Sequence, residues 1–440
     1  MKKGNIIWFI EHISRELDVA CAVSVLFKKK FGQKITILPF TSDLPPVYLK
    51  DFHPKIIILP YCYSVNDRML KKILLKFPDV IYFNMAWEQI FYKANLEYKA
   101  PQDWFAKEQV LHHCWSRERS EFLQKRGIPR ENIIINGHPA YKLYKKPYNK
   151  IFKNRLDLSK KFNLDPKKKW IFFPENYSWF FYSDHQFEEI IKNGQDRKTA
   201  LIMRNYCGKA IFEVLKWLQT AGDKFNNVEI ILRPRPAISA AYFTSVLEKL
   251  SPGITSKLNI IKDYSVREWI LASNMVVSSF STSLIEASIA DRPTFMLEPY
   301  KLPNALIAPW YKLVKKIKTQ SHFLNLCREI HLEEPKLLKS WAIRKFFVNS
   351  DPIISLMDCI RKIYLNDKPI NRFQNRMKFK NISEPNTGWY WLIGFLGLIK
   401  RKILKQQAYY LNDDSKIYLR QINSRYTAFK EGLIGKSKSK

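Results

Sequence analysis

The chain has 440 residues, with 74 Lys+Arg against 40 Asp+Glu, a formal net charge of +34. That length predicts two or three domains, and 46% hydrophobic with 14% aromatic residues excludes a disordered or collagen-like polymer. The charge calls for nucleic acid, anionic lipid or a phosphate-bearing substrate as partner, or else reflects a Lys-rich composition of no specific meaning.

The N-terminal MKKGNIIWFIEH reads as a first strand, because charge returns at Glu11 and no small-residue cleavage site follows. Short apolar runs follow at Lys34–Leu38, Lys55–Leu59, Val80–Phe83 and Asn132–Ile135, with helical patterns between them at Arg15–Lys30 and Arg68–Phe77. Apolar strands alternating with helices predict a parallel sheet covered on both faces, a Rossmann-like domain. Lys145–Lys169, rich in Lys and holding Pro147 and Pro166, reads as a link. The alternation then restarts. Strands are expected at Trp170–Phe173, Val228–Leu232, Asn259–Ile261, Met275–Val277 and Thr294–Leu297, and helices at Glu188–Lys192, Lys209–Thr220 and Val266–Ala272. Pro335–Leu365 reads as helical. The expected domains are 1–148, 149–330, a helical extension 331–366 and a basic, aromatic tail 367–440. Two such α/β domains place a ligand cleft at the carboxyl ends of their strands.

The tail from Lys368 carries 16 Lys+Arg and 4 Asp+Glu, so it holds +12 of the net charge. Its segment Trp389–Ile399 (WYWLIGFLGLI) runs into Lys400-Arg401-Lys402, a pattern that suits either an anionic lipid interface or a C-terminal helix packed over the interdomain groove. No apolar run approaches the length of about 20 residues needed to span a bilayer. The six cysteines are scattered without a CxxC pair, which fits a reducing cytoplasm and argues against a closed zinc site.

The strongest chemical pattern is IILRPRP (Ile230–Pro236) followed by VVSSFSTSLIE (Val276–Glu286). In the first, a strand ends in Arg233 and Arg235, suited to phosphate or carboxylate, or merely solvated in a turn. In the second, Ser278, Ser279, Ser281, Thr282 and Ser283 lead into a helix, where hydroxyls and backbone N–H groups favour an anion. Glu286 would accept ribose hydroxyls or close a capping box with Ser283. Glu88 follows an apolar strand and is a candidate base, or a residue favoured at a helix start. Asp184, in the aromatic loop after Trp170–Phe173, is a candidate nucleophile or a helix cap, with Asp196 as its competitor. Tyr177, Trp179, Phe180, Phe181 and Tyr182 either stack on a ligand or pack. No DxD pair stands at a strand end, so no metal is expected; Asp413-Asp414 lies in the tail.

Strand–RPRP, then SSFSTSLIEA, then Asp291-Arg292-Pro293 before a further strand, resembles the donor half of bacterial surface-carbohydrate transferases of GT-B fold. The family is the surface carbohydrate biosynthesis protein group, related to capsule and lipopolysaccharide β-Kdo transferases and, more distantly, to bacterial sialyltransferases and CDP-glycerol glycerophosphotransferases. Glu11-His12 with Ser14–Asp18, Trp87-Glu88-Gln89, Gly137-His138-Pro139 and Pro174–Trp179 resemble further segments of it in the same order. That family's first motif ends in His-Pro; Arg235 stands at the His position, which keeps the positive charge and removes a titratable group.

The resemblance implies a metal-independent glycosyltransferase of surface polysaccharide synthesis, without a cofactor, using a nucleotide sugar, with CMP-Kdo favoured. Arg233, Arg235, Ser278, Ser279, Ser281, Thr282, Ser283 and Glu286 would hold the donor. Glu11, His12 and Arg15 would face the acceptor, a glycan or lipid-linked glycan, with Glu88, Asp184 and Arg235 in the chemistry. The tail would meet anionic inner-leaflet lipid, which makes the expected location cytoplasmic and peripheral on the inner membrane. A polyol-phosphate transferase, a sugar-nucleotide epimerase and a non-catalytic membrane or nucleic-acid-binding protein are the alternatives. The sequence holds none of the common nucleic-acid-binding patterns, so no nucleic-acid partner is expected.

Overall fold

A computed structural model of the chain describes all residues except 1–4, 42–48, 50, 93–95, 97, 98, 193, 236, 237, 330–334, 366–414 and 436–440. The aromatic segment Trp389–Ile399, the cluster Lys400-Arg401-Lys402, Asp413-Asp414 and Pro236 therefore lie outside the described residues. The chain divides into two compact units, one of Met1–Gln89, Ala100–Ile151 and Lys345–Lys440, the other of Ile90–Lys99 and Phe152–Arg344.

The first unit is built on six parallel strands: β1 (Ile6–Ile10), β2 (Ile35–Pro39), β3 (Ile56–Leu59), β4 (Ile81–Asn84), β5 (Val110–Cys114) and β6 (Ile133–Ile135), in the order β2-β1-β3-β4-β5-β6. Every residue of β1, β3 and β4 is buried, as apolar runs on a sheet covered on both faces require. The chain leaves β1 for β2 on one side and returns to β3 on the other. The strand order thus reverses between β1 and β3, the place where open α/β sheets form their ligand crevice. β5 is absent from the expected set because His112 and His113 interrupt its apolar run. Both are nevertheless buried.

Helix Pro352–Leu365 packs on helix Asp18–Phe31 and on the turn Pro139–Lys142. The turn depends on Gly137, whose φ is +87°; a Cβ there would stand 2.5 Å from the Phe346 carbonyl oxygen. Helix Ser415–Ile434, in the basic tail, also lies along Asp18–Phe31. It buries Tyr418, Ile422 and Phe429, and Arg425 Nε donates to Asp18 Oδ1 at 2.6 Å.

The second unit repeats the plan with β7 (Lys169–Pro174), β8 (Val228–Arg233), β9 (Asn259–Ile260), β10 (Met275–Ser278), β11 (Thr294–Leu297) and β12 (Lys315–Ile317), parallel in the order β12-β11-β10-β7-β8-β9. Its order reverses between β7 and β10. The helix expected at Lys209–Thr220 extends over Arg197–Lys224, because Asp196 caps it by accepting from Thr199 N at 2.7 Å. Residues read as a link contain helix Arg155–Phe162, opened by an Asn154–Asp157 capping box. Among the described residues no helix is long and apolar enough to cross a membrane.

Candidate functional site

In the first unit, polar side chains gather at the carboxyl ends of β1 and β4. β1 stops before Glu11, and a π-helical turn, Ile13–Leu17, opens the following helix. Such turns are frequent at functional positions. This one is held by Glu16, whose fully buried carboxylate accepts from Glu11 N at 2.7 Å and from Arg15 Nη2 at 2.8 Å. Arg15 Nη1 donates to Glu88 Oε1 at 2.8 Å, and Arg15 Nη2 stands 3.5 Å from Glu11 Oε2. His12 Nε2 lies 3.7 Å from the same Glu11 oxygen. Glu11, His12, Arg15 and Glu88, separated by up to 77 positions in sequence, thus form one cluster. Burial disfavours the Arg15 cation, but Glu16, Glu88 and Glu11 outweigh it and hold the guanidinium protonated. Burial pushes the Glu16 carboxyl up, against the pull of Arg15 and of backbone N–H groups. Sequence reasoning gave Glu16 no role, since a Glu near a helix start reads as solvated.

The loop carrying Glu88 is fixed from three sides. Asn84 Oδ1 accepts from Ala86 N at 2.9 Å, which supports Ala86 at φ +46°, a costly conformation for a residue other than glycine. Asn84 Nδ2 lies 3.2 Å from His112 Nδ1, and His112 Nε2 lies 2.7 Å from the Ala106 carbonyl oxygen. The neutral tautomer that donates from Nε2 and accepts at Nδ1 satisfies both bonds, and burial lowers this histidine to about 4. Gln89 bonds to His113 O at 2.8 Å through its amide nitrogen and accepts from Trp115 N at 2.9 Å. Tyr418, from the C-terminal helix, donates to the Glu11 carbonyl at 3.0 Å.

In the second unit, the candidate residues gather beyond β7, β8 and β10. Ser278 Oγ donates to the Pro174 carbonyl at 2.5 Å and ties β10 to β7 at the point of strand reversal. Glu175, the next residue, is 4% exposed; its carboxylate accepts from Tyr177 N and, at 3.3 Å, from Arg235 N. Burial pushes the Glu175 carboxyl up, opposed by these backbone bonds and by the Arg235 charge. Arg233, the last residue of β8, is not the solvated turn residue of the alternative reading. It is 5% exposed and donates to the Tyr264 and Lys262 carbonyls at 2.9 and 3.3 Å. Tyr264 holds φ +66° to offer its carbonyl there.

Burial brings Arg233 down to about 10, although Glu268, Asp263 and Glu286 favour its charge. Lys262, which the sequence reading passed over, completes a basic group: burial and the charges of Arg233 and Arg235 lower it to about 7. The Ser-rich turn lies at the end of β10. Ser279 and Ser281 are buried, Ser283 half-buried and Thr282 exposed. The capping box expected between Ser283 and Glu286 does not form. Thr282 is the cap residue and stays helical in φ and ψ, and Ser281 Oγ instead accepts from Ser283 N at 3.3 Å. Glu286 faces Arg233 closely enough to favour its charged form.

Asp184 stands apart from this group. It is the first residue of helix Asp184–Lys192, with its side chain 91% exposed and paired with Arg204 Nη1 at 3.0 Å. Ser183, which accepts from Gln186 N at 3.2 Å, caps that helix instead. Tyr177, Trp179 and Phe181 are buried, and Phe181 packs on Phe243 at 5.0 Å between ring centroids, so these rings serve the core.

No family model and no curated protein matches the chain. Solved structures do. The UDP co-structure of MnaA from S. aureus is 10% identical, with 82% of this chain and 97% of that chain covered and a TM-score of 0.50. The wall teichoic acid polymerase TagF, in a variant form, is 11% identical over 82% of this chain and 89% of its own, with a TM-score of 0.52. The fold is GT-B. A TagF structure soaked with CDPG is 13% identical over the same shares of the two chains, with a TM-score of 0.51. At such identities the likeness establishes the fold, and the chemistry must be argued from the side chains.

Proposed function

We propose that the protein is a nucleotide-sugar-dependent glycosyltransferase of bacterial surface polysaccharide synthesis. The observation that carries this reading is the group Arg233, Arg235 and Lys262 at the carboxyl edge of β8 and β9, where burial first, and then the two guanidinium charges, lower Lys262 to about 7. Glu175, Glu268, Asp263 and Glu286 offset part of this charge, and a cluster of three cations in a partly buried setting favours a phosphate. The donor phosphate would meet Arg235 and Lys262, Arg233 would brace the turn through the Tyr264 and Lys262 carbonyls, and Glu286 would accept from ribose hydroxyls. As the bond between the anomeric carbon and the phosphate oxygen breaks, the electron pair passes to the phosphate, whose growing charge these cations stabilise. On the first unit, Glu88 would take the proton of the acceptor hydroxyl while Arg15 orients its carboxylate. The UDP and CDPG named for the structural neighbours are consistent with a nucleotide donor.

Within this reading we favour a CMP-linked acidic sugar such as CMP-Kdo, because the motif resemblance points there. We also favour an acceptor glycan carried on lipid, and a peripheral cytoplasmic location supported by the basic tail. Polyol-phosphate transfer is the second reading, favoured by the fold shared with TagF and its CDPG soak. A thermal-shift screen with CMP, CDP, UDP and GDP tests the proposal, since a ligand stabilises the state that binds it. Stabilisation by one nucleotide, followed by sugar transfer from its conjugate, supports it; transfer of glycerol phosphate from CDP-glycerol supports the second reading; no response to any nucleotide contradicts both.

A further inference from the structure

The second unit has a pocket that the Arg233–Lys262 group does not use. β11 and β12 lie on the opposite side of β7 from β8 and β9. Beyond their carboxyl ends opens a pocket of about 640 Å³, within the range of small-molecule sites. Its charged lining is Lys301, Lys312, Lys316 and Lys318 against one carboxylate, Glu298. That carboxylate is already engaged: Glu298 Oε2 pairs with Lys316 Nζ at 2.9 Å, and Glu298 Oε1 accepts from Leu302 N at 3.3 Å. Lys301, Lys312 and Lys318 are exposed and have no ion-pair partner among the described residues. The remaining wall is apolar and includes Leu302, Ile307 and Tyr311, with Ile307 44% exposed. It is also held in place, because Tyr311 is buried and donates to the Phe280 carbonyl at 3.2 Å.

We propose that this pocket is a second anion site, taking a diphosphate-class ligand that bears an apolar substituent. Three separate ammonium groups on mobile stems suit a polyvalent anion with several oxygens, whereas one carboxylate would leave two of them unneutralised. The exposed Ile307 and the fixed Tyr311 wall give the substituent a surface. The inference stands independently of the donor reading, since it involves neither Arg233 nor Arg235.

Calorimetric titration of the full-length protein with isopentenyl diphosphate and with inorganic pyrophosphate tests it. The expected result is saturable binding of isopentenyl diphosphate, about tenfold tighter than pyrophosphate. It weakens at least tenfold in K301E/K312E/K318E and is unchanged in R235A. The milder K301Q/K312Q/K318Q shows the same loss and separates charge reversal from any folding defect. Binding lost in R235A but kept in the lysine variants overturns the proposal, because the anion then sits at the other site. Vesicles of phosphatidylglycerol distinguish a membrane headgroup from a free diphosphate: vesicle binding removed by the lysine variants, with no saturable diphosphate binding, also overturns it.

Discussion

Arg235 and Lys262 are the two side chains on which the donor reading turns, and they make different predictions. Removing the charge-assisted contact of Arg235 costs about 1.5–3 kcal/mol, so Arg235→Ala should weaken nucleotide binding roughly 10- to 100-fold by calorimetry. Lys262 is lowered to about 7, so its ammonium is present below that pH and lost above it. A phosphate needs the charged form, hence nucleotide affinity should fall as pH rises from 6 to 8.5, and Lys262→Met should flatten the profile. A flat profile in the native protein would remove Lys262 from the site. Glu88→Gln should lower the transfer rate about 100-fold and leave nucleotide affinity unchanged. Glu88 stood out in sequence because it follows an apolar strand, and Glu11, His12 and Arg15 because their segment carries the motif resemblance; the structure brings the four together. Lys262 was not: it follows a two-residue strand in a chain with 74 Lys+Arg, where one more lysine carries no signal. Glu16 was hidden because only the π-helical turn brings its carboxylate inward.

Elements were legible where apolar runs were unbroken and obscure where buried polar groups interrupt them. β5 carries His112 and His113 inside the sheet, and burial lowers them to about 4 and about 3. Both are neutral when folded, while the unfolded chain takes up protons near the ordinary histidine value. Their contribution to stability is therefore full above about pH 6.5 and declines as pH falls toward 4. Each histidine contributes a slope of about 1.4 kcal/mol per pH unit there, and His112→Asn should remove its share in urea unfolding followed against pH. β12 escaped notice because Lys315-Lys316-Ile317 has no apolar run; parallel pairing to β11 makes it a strand. Gly137→Ala would place a methyl against the Phe346 carbonyl in a left-handed conformation, so it should cost about 2 kcal/mol or more of stability.

At the scale of the molecule, the two parallel α/β units were legible from the alternation of strands and helices; the strand order of each sheet, and so its reversal, was not. The role of the C-terminus was only half so. The +12 tail suggested a lipid contact or a helix over the interdomain groove, whereas Ser415–Ile434 packs along Asp18–Phe31 within the first unit and bonds to the loop of Glu11. Tyr418, Ile422 and Phe429 share one helix face at i, i+4 and i+11, with Arg425 at i+7 between them, but the surrounding basic tail draws attention to its charge and not to this stripe. Deleting residues 415–440 should strip the cover from these contacts and leave the buried Asp18 without Arg425. Urea unfolding should then show a loss of about 3 kcal/mol.

The measurement that most directly tests the central claim is calorimetric titration of the native protein and of R235A with CMP, CDP, UDP and GDP. The account predicts saturable binding of one of these nucleotides to the native protein, weakened roughly 10- to 100-fold in R235A. Absence of nucleotide binding, or equal binding by the variant, would contradict it.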